Sequence, residues 1–160
     1  MIGEKYFAYG SNMDREQIQQ RTGFQGAPAP GKIKGYKLVF NKYSTERQHN
    51  VVNIVPTGNN ADIVEGVVYT LTTNQLEKLD LDEGANTNNP DYERRRVELD
   101  DGTSVYTYVA NITNNSDLPP SIDYVLHLLK GKQFFSNSYY QKLLNIPVKE
   151  GGAIKDHIQT

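Results

Sequence analysis

Short apolar segments separated by Gly, Pro and Asn predict most of the strands in this chain. Residues 63–71 form the clearest strand because they are rich in β-branched and apolar side chains, and Gly66 within them marks a bulge or a close contact. The sequence Asp-Asp-Gly-Thr at 100–103 predicts a hairpin turn between two further strands. The other predicted strands cover 5–9, 32–41, 51–55, 92–99 and 105–111.

Capping signals and helical spacing of apolar residues predict the helices. Thr72 and Gln75 form a capping box, and Leu76 and Leu79 then begin an apolar stripe that Gly84 ends. The other predicted helices cover 13–21, 119–130 and 138–144, and the polar segment 43–50 is predicted to be a loop.

The order of these elements indicates the fold class. Strands concentrate in the middle of the chain, with helices at both ends and one between them. This order favours an α+β fold, with a largely antiparallel sheet that could form a barrel, over a wound βαβ fold. A chain of 160 residues is long enough for one domain with its own core. We predict a single domain over residues 1–148 and a polar tail over 149–160 that is mobile or loosely docked.

Composition and charge narrow the function classes. Lys and Arg number 17 and Asp and Glu number 19, and this balance disfavours binding to nucleic acid or to a membrane surface. The absence of cysteine excludes disulfides, thiolate metal sites and a cysteine nucleophile. The three histidines lack metal-ligand spacing and form no motif with Ser11, so neither a metal site nor a serine hydrolase is expected. Without a signal-like N-terminus or a bilayer-spanning segment, the chain is expected to be cytoplasmic.

The stretch 6–13 (Tyr-Phe-Ala-Tyr-Gly-Ser-Asn-Met) predicts a strand that turns directly into a helix. Gly10 at the junction permits positive φ and the close approach of a ligand to the backbone, and Ser11 and Asn12 are both good N-caps. The first N–H groups of the helix would point beyond the strand end, where they favour an anion or a carbonyl oxygen. An ordinary strand-to-helix turn explains the same residues equally well.

Glu83 is the candidate general base. It follows Leu79 by four positions and Leu76 by seven, so its carboxylate shares their apolar face if the helix continues that far. Burial would then raise its pKa towards neutrality, and the charges of Asp80 and Asp82 would act in the same direction. If the helix ends earlier, Glu83 is a solvated residue in a turn.

Other polar and aromatic residues are weaker candidates. Arg94 and Arg96 share one face of a strand, where they could bind a carboxylate or could form a solvated sheet edge. Tyr92, Tyr108 and Tyr124 each enter or follow an element near the proposed cleft.

Three motifs that occur in order along the chain resemble those of one enzyme family. Residues 6–12 (Tyr-Phe-Ala-Tyr-Gly-Ser-Asn) closely resemble the N-terminal motif of the γ-glutamylcyclotransferases. Residues 79–84 (Leu-Asp-Leu-Asp-Glu-Gly) resemble the second motif, with Glu83 in the place of the catalytic glutamate. Residues 119–124 (Pro-Pro-Ser-Ile-Asp-Tyr) resemble a third motif, whose tyrosine lines the substrate site. The resemblance extends from about residue 6 to about residue 144, which is most of the chain.

The resemblance implies a fold and a reaction. The fold is a small mixed, largely antiparallel β-barrel with flanking helices and one deep polar cavity. In the reaction, the α-amino group of a γ-glutamyl amino acid or γ-glutamyl-amine attacks its own γ-carbonyl and releases 5-oxoproline and a free amine, with Glu83 as the catalytic residue and with no cofactor or metal. The expected substrate-binding residues are Tyr6, Phe7, Ala8, Tyr9, Gly10, Ser11, Asn12, Tyr108 and Tyr124. The expected partner is this small molecule, not nucleic acid or a membrane, and a homodimer is left open.

Two alternatives share the same fold. The first is a non-catalytic binding or interaction module, and the second is a hydrolase in which water attacks instead of the substrate's amine. Retention of both Glu83 and the Tyr9-Gly10-Ser11 turn favours an enzyme, because a binding module needs no desolvated base. The Asn-rich loop after Glu83 looks slightly longer than in the family's animal enzymes, so the choice among γ-glutamyl substrates stays open.

Overall fold

The computed structural model describes residues 3–111, 113–115 and 118–158. Its helices are α1 (Arg15–Thr22), α2 (Thr73–Asp82), α3 (Ile122–Leu129) and α4 (Asn137–Leu144), and short 3₁₀ helices lie at Ser11–Met13, Lys132–Phe134 and Ile154–His157. Its strands are β1 (Glu4–Ala8), β2 (Ala29–Lys34), β3 (Tyr36–Ser44), β4 (His49–Pro56), β5 (Ile63–Leu71), β6 (Tyr92–Glu98) and β7 (Ser104–Ala110). The predicted α+β class and the bounds of the predicted strand 63–71 are confirmed.

The described strands form a five-stranded sheet in the order β2-β5-β1-β7-β6 and a separate β3–β4 ribbon. The pairing is mixed and largely antiparallel, because only β1 and β7 run parallel among these strands. The sheets do not close, so the predicted barrel is not confirmed. The reason lies at Gly35, whose φ of 80° turns the chain and divides the predicted strand 32–41 into β2, in the large sheet, and β3, in the ribbon.

The central strand β1 packs closely against β5. A Cβ atom added to Gly66 would lie 2.2 Å from the carbonyl oxygen of Ala8 and 2.9 Å from the ring of Phe7, so only glycine fits at this position. The predicted close contact at Gly66 is therefore confirmed. This packing places the end of β1 at the centre of the large sheet, where it leads into the 3₁₀ helix Ser11–Met13.

Helix α2 begins and ends as its sequence predicts. Thr72 Oγ1 accepts a hydrogen bond from the N–H of Gln75, whose Oε1 accepts one from the N–H of Thr72, so the capping box is complete. At the other end Gly84 adopts φ 65°, and the N–H groups of Gly84 and Ala85 donate to the carbonyl groups of Leu81 and Asp80. This is a Schellman motif, and it satisfies carbonyl groups that the helix end leaves unpaired.

The first helix starts later than predicted. Asp14, not Ser11 or Asn12, is the N-cap of α1, and its Oδ1 accepts a hydrogen bond from the N–H of Glu16. The physical reason is burial, because the side chain of Asn12 lies inside the protein with other partners and is not available to cap a helix.

The polar segment after residue 148 is docked on the domain over the part that the structure describes. Ile154 is fully buried, and its N–H donates to the carbonyl oxygen of Ile146, while the N–H of Lys149 donates to that of Pro120. The division into a domain of residues 1–148 and a tail stays a prediction. Residues 1–2, at the start of the predicted domain, and residues 159–160, at the end of the predicted tail, lie outside the described residues.

In the described part of the chain, no helix combines the length and the hydropathy needed to cross a membrane.

Helix α2 provides a matched test of the core. We expect Leu79→Ala to lower the free energy of unfolding by about 2–5 kcal/mol, because Leu79 is fully buried and its truncation leaves a cavity. Leu81→Ala makes the same change on the same helix at a side chain that is 67% exposed, and it should shift that free energy by at most about 0.5 kcal/mol. Urea denaturation of both variants measures the difference, and equal losses would show that α2 does not pack as described.

Candidate active site

A small polar cavity of about 50 Å³ lies at the end of β1. It opens onto a groove of about 400 Å³, because Ser11, Glu83, Tyr92 and Tyr124 line both spaces. The residues that line the inner cavity are Tyr6, Tyr9, Gly10, Ser11, Asn12, Val52, Glu83, Tyr92, Tyr108 and Tyr124.

Most of the residues predicted for the site meet at this cavity. Glu83 lies there with Tyr6, Tyr9, Gly10, Ser11, Asn12, Tyr108 and Tyr124. Phe7 and Ala8 do not line it, since both are fully buried within the large sheet. Side chains alternate along a strand, so Phe7 points to the face opposite Tyr6, where its ring lies near Gly66. These two residues of the motif therefore belong to the core.

Glycine is needed at position 10 because a side chain would clash with its neighbours, and not because the backbone is left-handed. Its φ of −118° is negative, so positive φ does not explain the glycine. A Cβ atom at this position would instead lie 2.8 Å from Cγ2 of Val52 and 3.7 Å from the hydroxyl of Tyr124. The close approach of the β3–β4 ribbon thus keeps this part of the cavity wall free of a side chain.

Asn12 connects the groups around the cavity. Its side chain is buried, and Nδ2 donates to the hydroxyl of Tyr6 at 3.0 Å and to Oε1 of Glu83 at 3.1 Å. Its Oδ1 accepts hydrogen bonds from Gln17 Nε2 at 2.9 Å and from Arg21 Nη1 at 3.0 Å. These bonds use both amide hydrogens and both lone pairs of the side-chain oxygen, so Asn12 holds its neighbours in fixed positions.

Glu83 keeps the position that helical spacing predicts. It follows the last residue of α2 and its N–H still donates to the carbonyl oxygen of Leu79 at 2.9 Å, so the carboxylate stays on the buried face of the helix. The side chain is only 16% exposed, and this burial raises its pKa from 4.5 to about 7. Arg21, 3.9 Å away, and the amide of Asn12 lower the pKa, while Asp82 raises it. The carboxyl group is therefore able to take up and release a proton near neutral pH.

Asp80 has a different task from the one predicted. It is not among the groups that raise the pKa of Glu83. Its Oδ1 accepts a hydrogen bond of 2.5 Å from the hydroxyl of Tyr108, and its Oδ2 lies 3.4 Å from Nη1 of Arg94. Asp80 thus orients a tyrosine of the cavity wall.

Tyrosine side chains form much of the cavity wall. Tyr9 donates to the carbonyl oxygen of Tyr108 at 2.5 Å, and Tyr92 donates to that of Val52 at 3.2 Å. The N–H of Val52 donates in turn to the hydroxyl of Tyr124 at 3.1 Å. Burial raises the pKa of every tyrosine that lines the cavity, so the phenols stay neutral at ordinary pH.

Some residues of the site are absent from the predicted set. Gln17 and Arg21 lie four positions apart on α1, so helical spacing places them on one face and signals a shared contact. Tyr92, named as a weaker candidate because it enters a predicted strand near the proposed cleft, also lines the cavity. Val52 has no signal, because a valine in an apolar strand is typical of any core.

Arg94 and Arg96 do not line the cavity. Their guanidinium carbons lie 4.9 Å and 4.3 Å from the ring centroid of Tyr106, on the edge strand β6. Both arginines therefore lie at a sheet edge, where Arg94 also pairs with Asp80. In the described part of the chain, no group of three or more His, Asp or Glu side chains is arranged to hold a metal ion.

Comparisons with known proteins all give the same family. The family model described as "Gamma-glutamyl cyclotransferase, AIG2-like" matches residues 6–126. The chain is 26% identical to mouse gamma-glutamylcyclotransferase, over 96% of this chain and 85% of the mouse protein, and 28% identical to the bovine protein of the same name, over 88% and 76%. A solved structure described as gamma-glutamyl cyclotransferase is 25% identical, with a TM-score of 0.75 over 97% of each chain.

The raised pKa of Glu83 predicts a pH-dependent gain in stability for Glu83→Gln. Between pH 4.5 and about 7 the folded protein binds more protons at Glu83 than the unfolded chain does, so the free energy of unfolding falls as pH rises through this window. The glutamine variant lacks this loss. Relative to the wild type, it should therefore gain up to about 3 kcal/mol between pH 4 and pH 8.

Urea denaturation at pH 4, 6 and 8 measures this gain. Glu77→Gln is the control, because it makes the same chemical change at an exposed residue of the same helix. A Glu83→Gln difference that does not change with pH would show that the pKa of Glu83 is not raised.

Proposed function

The chain belongs to the γ-glutamyl cyclotransferase, AIG2-like family, and we propose that it converts a γ-glutamyl amino acid or γ-glutamyl-amine into 5-oxoproline and a free amine. The observation that carries this proposal is the carboxyl group of Glu83, which lies in the small inner cavity at the end of β1 and has a pKa of about 7. A base with such a pKa is matched to proton transfer at neutral pH.

The reaction needs proton transfer and correct folding of the substrate. Glu83 removes a proton from the α-ammonium group, and the resulting amine attacks the γ-carbonyl carbon of the same molecule. As the new C–N bond forms and the γ-amide C–N bond breaks, Glu83 returns this proton to the departing nitrogen. The ring nitrogen then gives up one of its two hydrogens, and the departing amine takes up that proton, so the products are 5-oxoproline with a single N–H and an ammonium ion. No water is consumed. Because the attack is intramolecular, correct positioning of the substrate supplies a large part of the rate enhancement.

The 3₁₀ helix Ser11–Met13 supports the charge that develops on the carbonyl oxygen. The first N–H groups of a helix have no partner within it, and Gly10 and Ser11 both border the cavity. Backbone donors placed in this way stabilise an oxyanion in a site from which water is excluded. Neutral phenols such as Tyr9 and Tyr124 add polar groups without a competing negative charge.

A panel of γ-glutamyl dipeptides and γ-glutamyl-amines tests the proposal directly. Mass spectrometry distinguishes 5-oxoproline, the product of cyclisation, from glutamate, the product of hydrolysis. A non-catalytic binding module of the same fold would release neither compound. Glutamate as the main product would replace the cyclotransferase with a hydrolase.

Replacement of the base is the sharpest test of the mechanism. We expect Glu83→Gln to lower kcat by roughly 10²- to 10⁴-fold, because the amide keeps the size of the side chain but cannot accept the proton. Substrate binding should change much less than turnover, since the carboxylate acts mainly as the proton moves.

Steady-state kinetics and thermal melts on the same preparations measure these effects. Glu77→Gln is the matched control, because it makes the same substitution on the same helix at an exposed residue that lines neither the cavity nor the groove. Near-normal turnover in a well-folded Glu83→Gln would refute the assignment, and a variant that does not fold would show that Glu83 is structural.

Acetylation of the substrate separates the two reactions that the cavity could support. A γ-glutamyl compound acetylated on its α-nitrogen has no free amine to attack the carbonyl, so we expect no release of the leaving amine. The unmodified compound, assayed in parallel, serves as the control. Amine release at comparable rates from both compounds would mean that water is the nucleophile.

A further inference from the structure

The outer groove contains side chains that the proposed proton transfer does not use. It continues from the inner cavity across the turn between β3 and β4 and the end of α2. Its charged lining residues are Arg21, Lys42, Glu46, Arg47, Asp82, Glu83 and Asp91.

Arg47 differs from the other cations of this groove in its partners. Nζ of Lys42 lies 3.0 Å from a carboxylate oxygen of Asp91, and Arg21 contacts Glu83 and the amide of Asn12. In the described residues no carboxylate lies within 4.0 Å of the Arg47 guanidinium, which is positioned 4.9 Å from the ring centroid of Tyr124. Its capacity to bind an anion is therefore unused.

The backbone of the turn directs Arg47 towards the cavity. The N–H of Arg47 donates to the hydroxyl oxygen of Ser44 at 3.1 Å, and the N–H of Gln48 donates to the carbonyl oxygen of Ser44 at 2.7 Å. Gln48 has a φ of 60°, a left-handed conformation that is uncommon for a non-glycine residue. The stacking on Tyr124, which lines both spaces, then places the guanidinium beside the entrance to the inner cavity.

On the basis of the proposed function, we propose that Arg47 binds the α-carboxylate of the departing amino acid, so that the enzyme prefers γ-glutamyl amino acids to γ-glutamyl-amines. When the γ-carbonyl group lies beside Glu83, the leaving group extends into the groove. In a γ-glutamyl amino acid, a carboxylate follows the departing nitrogen by only two bonds. A guanidinium group binds such a carboxylate through paired hydrogen bonds, whereas a γ-glutamyl-amine offers it no anion.

A pair of substrates that differ only in this carboxylate tests the proposal. γ-Glutamyl-L-alanine and γ-glutamyl-ethylamine share every atom of the leaving group except the carboxylate. We expect the wild type to have the higher kcat/KM with the alanine compound. Arg47→Gln should lower that value by about 10- to 100-fold, the effect of losing a charge-assisted hydrogen bond, and should leave the ethylamine compound within about twofold.

Two further variants complete the experiment. Arg47→Lys should retain part of the preference, because it keeps the charge but not the planar fork. Arg95→Gln is the control, because Arg95 is 56% exposed, pairs with Glu93 and lies outside the groove. This variant should leave kcat/KM unchanged for both substrates.

The outcomes separate this proposal from the function on which it rests. If both substrates yield 5-oxoproline with equal efficiency in the wild type, or if Arg47→Gln slows both equally, the assignment of Arg47 is overturned and the cyclotransferase stands. An equal loss would mean that Arg47 acts on the glutamyl part or on the cavity wall. If neither substrate yields 5-oxoproline, the proposed function fails and the assignment fails with it.

Discussion

The buried amide of Asn12 joins the elements that form the cavity. Its side chain contacts Tyr6 of β1, Arg21 of α1 and Glu83 at the end of α2. The backbone carbonyl oxygen of Asn12 also accepts a hydrogen bond of 2.7 Å from the hydroxyl of Tyr69 in β5. A buried polar group left without a partner costs about 1–3 kcal/mol, so these bonds resist any shift of one element against another. The hydrogen bonds that hold the fold together here are the same ones that orient the proposed base.

The protonation behaviour of Glu83 results from opposing effects, of which burial is the largest. Burial favours the neutral acid, while Arg21 and the amide of Asn12 favour the carboxylate. Arg21 stands at 3.9 Å and also bonds to Asn12, so it does not form a close ion pair that would keep Glu83 permanently charged. The pKa of about 7 is the outcome of this balance.

The β3–β4 ribbon contributes to the site although it lies outside the large sheet. Both backbone polar groups of Val52 bond to tyrosines from other elements, Tyr92 at the start of β6 and Tyr124 in α3. These bonds hold the ribbon against Gly10, whose missing side chain leaves room for it. Arg47 lies in the turn between the two strands of the same ribbon. The ribbon therefore borders the inner cavity and also carries the positive charge of Arg47 beside the cavity entrance.

The features that the sequence alone determined depend on contacts between residues that lie close together in the chain. Spacings of a few residues predict the capping box at Thr72, the end of α2 at Gly84 and the orientation of the Glu83 side chain towards the buried face of the helix. The structure has all three features. The N-terminal motif likewise indicated the cavity residues, though not that Phe7 belongs to the core.

Only the tertiary structure decided how these local pieces are joined. The bond from Asn12 to Glu83 spans 71 positions, and the bond from Val52 to Tyr124 spans 72. No local spacing encodes such pairs, because they depend on how the sheets and helices pack. The same packing removed Asn12 from its predicted capping role, and the turn at Gly35 separated β3 from the large sheet. Burial of polar groups forces these choices, since each donor and acceptor must find its partner wherever the fold places one.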